Sequence, residues 1–157
     1  MHLILFGFPG SGKTHLGKKL AETLQRPFID TDDLLIDLYF QRAQIKCTVR
    51  QIHQQIGEAA FRLLEQEALQ SLSHQPPSIV ALGGGAVLLP QNVAFLRTVG
   101  QLIYLKVPFE LACERLLSRG IPSFADPKNP KASLKKLYKI REPLYHSLST
   151  LQVPDGI

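Results

Sequence analysis

A chain of 157 residues, 45% hydrophobic and 20% charged, is sized for one domain with a substantial core and has the make-up of an ordinary soluble globular fold. Its formal charge of +5 suits anionic ligands, and its longest apolar run, IVALGGGAVLL, carries three glycines and is too short to span a bilayer. Cys47 and Cys113 have neither CxxC spacing nor a histidine cluster beside them, which argues against zinc and for reduced, partly buried thiols in a cytosolic protein.

In chain order, the apolar run LILFGF (3–8) predicts a strand buried on both faces rather than a signal peptide. Lys13 to Leu24 places Leu16, Leu20, Ala21 and Leu24 at helical spacing. Pro27 to Asp30 reads as a second strand, 33–40 as a helix and 41–48 as irregular. From Val49 to about Ser73 the pattern is helical and breaks near Gly57, with Phe61, Leu64, Ala68 and Leu72 as its core stripe. Ile79 to Leu82 is a third strand, Asn92 to Thr98 a short helix, Leu102 to Val107 a fourth strand and Glu110 to Arg119 a helix. Gly120 to Pro130 holds three prolines and is a loop. Ser133 to about Ile140 is helical, and Leu151 to Val153 is a fifth strand. Alternating strands and helices predict an α/β fold with a parallel sheet covered on both faces, whose ligands lie beyond the carboxyl ends of its strands.

The chemistry-bearing residues follow those strands. After the first comes Gly7-Phe8-Pro9-Gly10-Ser11-Gly12-Lys13-Thr14, which satisfies GxxxxGK[ST] between a strand and a helix. Backbone N–H groups of such a loop wrap nucleotide phosphates, the helix adds its positive end, Lys13 neutralises phosphate charge and Thr14 offers a hydroxyl to magnesium. After the second strand come Asp30-Thr31-Asp32-Asp33. Residues two apart in extended chain point the same way, so Asp30 and Asp32 are expected to face the crevice together, while Asp33 takes the common duty of a helix cap. Two carboxylates there suit phosphoryl transfer, which needs one near a metal and one near the acceptor hydroxyl. In GEAAFRLLE, Arg62 and Glu65 share a helix face. Alone this reads as a surface ion pair, but it also pre-orients an arginine to grip a carboxylate. Gly83-Gly84-Gly85, more than a tight turn requires, lets backbone lie against a ligand, and Arg141 is expected at or just past a helix end, aimed inward.

Taken together and in order, GFPGSGKTHLGKKLA, FIDTDDL, GEAAFRLLE, ALGGGAV and REPLY resemble shikimate kinase over about residues 2–153. The phosphate loop is generic; DTD, GExxFRxxE, LGGG and RxPLY are specific as a set. The resemblance implies a three-layer P-loop fold of the nucleoside monophosphate kinase kind, with a core of 1–32 and 76–119, a substrate region of about 33–65 and a lid of about 120–132. It implies a cytoplasmic monomer that uses ATP and Mg2+ to turn shikimate into shikimate 3-phosphate, in aromatic precursor synthesis. It assigns ATP binding to Pro9, Gly10, Ser11, Gly12, Lys13 and Thr14, and to Arg115 beside the adenine. Thr14 and Asp30 go to the metal, Lys13 and Asp32 to catalysis with Asp32 as base, and Asp32, Arg62, Glu65, Gly83, Gly84, Gly85 and Arg141 to shikimate, Arg62 and Arg141 on its carboxylate.

The sequence departs from that pattern in four places. Ile121 stands where the family lid carries an arginine before proline, which leaves Arg119, Lys128 and Lys131 as replacements. The 39–49 stretch is a few residues longer than usual. Ala81 replaces a Ser or Thr, and the family's terminal helix is expected to be missing. Rival readings are a gluconate-type or nucleotide kinase, and a nucleotide-binding module without catalysis. Nucleic-acid binding through Lys131, Lys135, Lys136, Lys139 and Arg141 lacks interleaved aromatics, and a solvated helix face explains the run more simply. A membrane partner is not expected, and the five histidines show no ligand spacing.

Overall fold

The computed structural model describes residues 1–149 and 151–154. Five strands, β1 (His2–Phe6), β2 (Phe28–Asp30), β3 (Ile79–Ala81), β4 (Gly100–Lys106) and β5 (Leu151–Pro154), form one sheet in the order β2-β3-β1-β4-β5. Every pairing is parallel: Leu3 lies against Ile79 and Gln101, and Val80 against Ile29. The helices are α1 (Lys13–Leu24), α2 (Thr31–Ala43), α3 (Val49–Gln70), α4 (Pro90–Val99), α5 (Phe109–Leu117) and α6 (Pro130–Leu148), with 3-10 turns at Ser71–His74 and Ala86–Leu88.

Alternation along the strands decides the layers. Leu5, Ile79 and Ile103 pack with Ala21 and Leu16 of α1 on one face. Ile4, Phe6, Val80, Leu102 and Tyr104 pack on the other with Leu69, Leu96 of α4 and Tyr145 of α6. Both faces are covered, so the strands read as continuous apolar runs. A separate small core of Leu35, Ile52, Phe61, Leu64 and Ala68 joins α2 to α3. The expected core stripe of α3 is buried, with Leu72 in the main core. Among the described residues, no helix is long and apolar enough to cross a membrane.

Two element readings change and one holds. α2 begins at Thr31 and runs to Ala43, so only 44–48 of the expected irregular stretch is irregular. There Thr48 caps α3 in a reciprocal box with Gln51. α3 does break at Gly57, whose φ of 83° and ψ of 171° belong to a region that side chains avoid. α6 does not stop near Ile140 but continues through Pro143 to Leu148. Tyr138 packs edge-on against Phe8 and Phe109 before that proline, and Tyr145 contacts Phe6 and Tyr104 after it. Pro143 and Lys139 are both exposed, so the carbonyl that loses its partner can turn to water.

Candidate active site

The phosphate loop leaves the carboxyl end of β1 and enters α1. Gly10 (φ 82°) and Gly12 (φ 90°) hold left-handed conformations, and a Cβ on Gly10 would stand 2.7 Å from the Ala112 carbonyl. Gly12 precedes α1 and no side chain caps that end, which leaves the first-turn N–H groups for an anion. The Lys13 ammonium donates to the carbonyls of Gly7 (2.9 Å) and Phe8 (3.3 Å). Burial lowers its pKa to about 8, against the pull of Asp32 and Asp30. A cavity of about 320 Å³ is lined by Gly10, Gly12, Lys13, Thr14, His15, Arg115 and Arg119. Arg115 also donates to the Gly10 carbonyl at 3.3 Å, which fixes α5 against the loop.

Asp30 and Asp32 meet, but not through extended chain. Asp30 ends β2 as the N-cap of α2, and its Oδ1 accepts from the Asp32 N–H at 2.9 Å. Asp32 is already helical, so a cap brings the carboxylates together. The capping duty expected of Asp33 therefore belongs to Asp30, while Asp33 is exposed in the first turn. Asp30 Oδ2 accepts from the Thr14 hydroxyl at 3.5 Å, so a carboxylate and a hydroxyl oxygen lie side by side at the loop. These are hard oxygen donors of the kind Mg2+ takes alongside phosphate and water. Burial raises the Asp30 pKa; burial and then the Asp30 charge raise that of Asp32 to about 6.

The glycine turn after β3 joins these groups to the substrate region. A Cβ on Gly83 would stand 2.5 Å from Asp32 Oδ1, one on Gly85 2.8 Å from an Arg62 terminal nitrogen, and one on Gly84 3.4 Å from Pro9. Absent side chains thus let the carboxylate, the arginine and the phosphate loop converge. The Gly83 N–H donates to the Thr31 hydroxyl (2.9 Å), so this amide shapes the turn. Arg62 is fixed by two carboxylates: Nε donates to Glu58 (2.8 Å) and Nη1 to Glu65 (3.0 Å). Glu65 is buried, and its pKa is raised by burial against the opposing pull of Arg62.

Arg141 lies inside α6, not at its end, because the helix passes Pro143. Its charge still acts on Lys13 and on the Tyr145 hydroxyl. That hydroxyl donates to the Gly84 carbonyl at 3.5 Å, so Arg62 and Arg141 are both linked to one turn. Of the three candidate lid cations, Arg119 lines the phosphate-loop cavity, whereas Lys131 pairs with Glu110 at 3.0 Å. Ala81 is buried in β3. Sequence reasoning missed Glu58, though its position four residues before Arg62 was a signal. It missed His53, Thr31 and Tyr145, whose roles depend on a kink, a cap and a long helix.

A profile of the family described as shikimate kinase matches residues 9–156. A shikimate kinase of Psychrobacter arcticus is 34% identical over 154 residues, covering 98% of this chain and 80% of the relative. The fold superposes on the structure of a shikimate kinase from Acinetobacter baumannii in complex with shikimate. The TM-score is 0.84, with 31% identity and coverage of 100% of this chain and 85% of that one. A gluconokinase from Sinorhizobium meliloti shares the fold alone, at a TM-score of 0.61 and 18% identity over 99% of this chain and 83% of its own.

Proposed function

The chain belongs to the shikimate kinase family, and from that premise we propose that it transfers the γ-phosphoryl group of ATP to a hydroxyl of shikimate, giving ADP and shikimate 3-phosphate. One observation carries the reading: the Gly83–Gly85 turn meets Asp32, Arg62 and the phosphate loop together. A base, a carboxylate grip and a phosphate cradle thus surround one small volume. Gluconate-type chemistry has weaker support, since the gluconokinase resemblance extends to the fold alone.

In this reading Arg62 and Arg141 hold the shikimate carboxylate and the glycine turn takes the ring. Asp32 accepts the proton of the attacking hydroxyl as its oxygen bonds to the γ-phosphorus and the bond to the β-bridging oxygen breaks. Its pKa of about 6 leaves it ionised and still basic at neutral pH. Lys13, the loop amides and Arg119 take up phosphate charge. Thr14 and Asp30 would hold Mg2+, which when bound supplies charge neutralisation at the phosphates. Arg115 lies at the nucleotide side of the loop, and 120–132 acts as the lid. The test is ADP release in the presence of Mg2+ and ATP, with shikimate, gluconate or AMP as acceptor. Stimulation by shikimate alone is expected. Turnover on gluconate or AMP instead, or no acceptor-dependent turnover, would overturn the assignment.

A further inference from the structure

Arg62 is anchored through a third residue that the reaction does not itself require. Glu58 uses one oxygen for Arg62 Nε and the other for His53 Nε2, with which it forms a close pair. The arrangement depends on the break at Gly57. In an unbroken helix, residues eight apart stand about 12 Å apart along the axis. Yet the His53 and Phe61 rings meet edge-on at 5.0 Å between centroids. Phe61 is buried, and the Arg62 guanidinium lies 5.5 Å from its centroid, so one ring supports both ends of the chain His53–Glu58–Arg62.

The geometry points to His53 as a positioning residue for acceptor binding: it pins Glu58 to the Nε edge of Arg62 and so leaves the terminal nitrogens beside Gly85 free to take the substrate carboxylate. Glu58 is exposed, and without His53 its carboxylate can swing to those nitrogens and compete with the acceptor for the same donors. Glu65 takes one Nη1 hydrogen from the buried side and cannot replace this restraint on the outer edge. His53 also lines a cavity of about 510 Å³ with Arg50, Phe61 and, from the loop before α6, Ser123 and Phe124. The pair therefore stands between the acceptor grip and the loop that faces it.

This inference rests on the proposed acceptor site, and steady-state kinetics of shikimate-dependent ADP release tests the two separately. Failure of the unsubstituted protein to respond to shikimate would refute the site itself. Given a responsive enzyme, His53→Phe keeps a ring on Phe61 but removes the bond to Glu58. It is expected to raise KM for shikimate about three- to ten-fold with kcat within about two-fold. His53→Gln, which keeps a donor, is expected to restore most of the affinity. Glu58→Gln weakens the hold on Arg62 Nε and should raise KM for that separate reason, and adding His53→Phe to it should cost nothing more, since no carboxylate is left to swing. An unchanged KM in His53→Phe, equal losses in His53→Phe and His53→Gln, or additive losses with Glu58→Gln would each overturn the inference. If His53→Phe does not fold, His53→Leu, which also removes the bond to Glu58, takes its place in each comparison with the same expected outcomes.

Discussion

Asp32 holds an ionisable carboxyl where the fold would prefer a neutral one. Its pKa rises from the ordinary 3.8 to about 6, first through burial and then through the Asp30 charge. The folded state therefore binds this proton more tightly than the unfolded chain does. The stability contributed by Asp32 is lost as pH rises from about 4 to about 6 and stays lost above that. Asp32→Asn removes this dependence, and the variant is expected to be more stable at pH 7 by up to about 3 kcal/mol, with no gain near pH 4. The same change removes the base, so kcat should fall about 10^2- to 10^4-fold. Denaturant melts at pH 4 and 7 beside kinetics check both halves; a destabilised Asp32→Asn at pH 7 would contradict the burial argument. In the wild type, kcat/KM should fall below pH 6 as Asp32 protonates and above pH 8 as free Lys13 loses its charge. Arg119 belongs to the same scale. It faces the phosphate-loop cavity while Lys131 is held by Glu110. Arg119→Ala is expected to lower kcat by about 10^3-fold and Lys131→Ala by less than about two-fold. The reverse order would move the lid cation to Lys131.

The element scale shows where sequence reading succeeds. α1 was legible to the residue, because a phosphate loop fixes its start and an apolar stripe its length. β1, β3 and β4 were legible as apolar runs, and the residues that follow β1 and β3 do come together beyond the carboxyl ends of those strands. Asp30 and Asp32 were identified by type and spacing, but by the wrong geometry. Nothing in the four letters DTDD separates the end of a strand from the cap of a helix. α6 was cut short because Pro143 is a strong local stop signal, and aromatic packing on both sides overrides it. The break in α3 was legible as a glycine in a helical pattern, but its consequence was not. Gly57 turns the chain so that His53 reaches Glu58 and Phe61, contacts that no helical periodicity predicts. Gly57→Ala meets no steric obstacle within 4 Å, so its effect isolates backbone strain. The expected cost is about 1–3 kcal/mol, with a raised KM for shikimate as His53 loses its partner. Circular dichroism melts and kinetics together check this, and a fully stable Gly57→Ala with native KM would show that the kink imposes neither.

At the scale of the molecule, the sheet divides its labour between its two ends. The carboxyl ends carry the loop, the carboxylates and the glycine turn. The amino ends carry a buried fastening built on His2. Its Nε2 faces the Leu72 carbonyl at 2.8 Å, and its Nδ1 accepts from the Ser78 N–H at 3.0 Å. Those bonds place the ring proton of Nε2 toward Leu72, and they tie β1 to the 3-10 turn after α3 and to the approach to β3. His2→Phe would leave the buried Ser78 N–H without a partner, while the Leu72 carbonyl keeps the Gln75 N–H, a loss of about 1–3 kcal/mol. For a chain of this size that lowers Tm by roughly 2–12 °C. KM for shikimate should stay unchanged, because none of the residues that form the site depends on the ring. Gly85→Ala should do the reverse. Its new methyl meets the movable end of Arg62 rather than backbone, so stability should fall by less than about 1 kcal/mol. The displaced guanidinium should raise KM for shikimate by about ten-fold or more, the worth of a charge-assisted bond. Thermal melts and kinetics on both variants decide the matter. If His2→Phe raised KM in step with its loss of stability, the two ends would be coupled, and the site would depend on the rigidity of the whole sheet rather than on contacts at one edge.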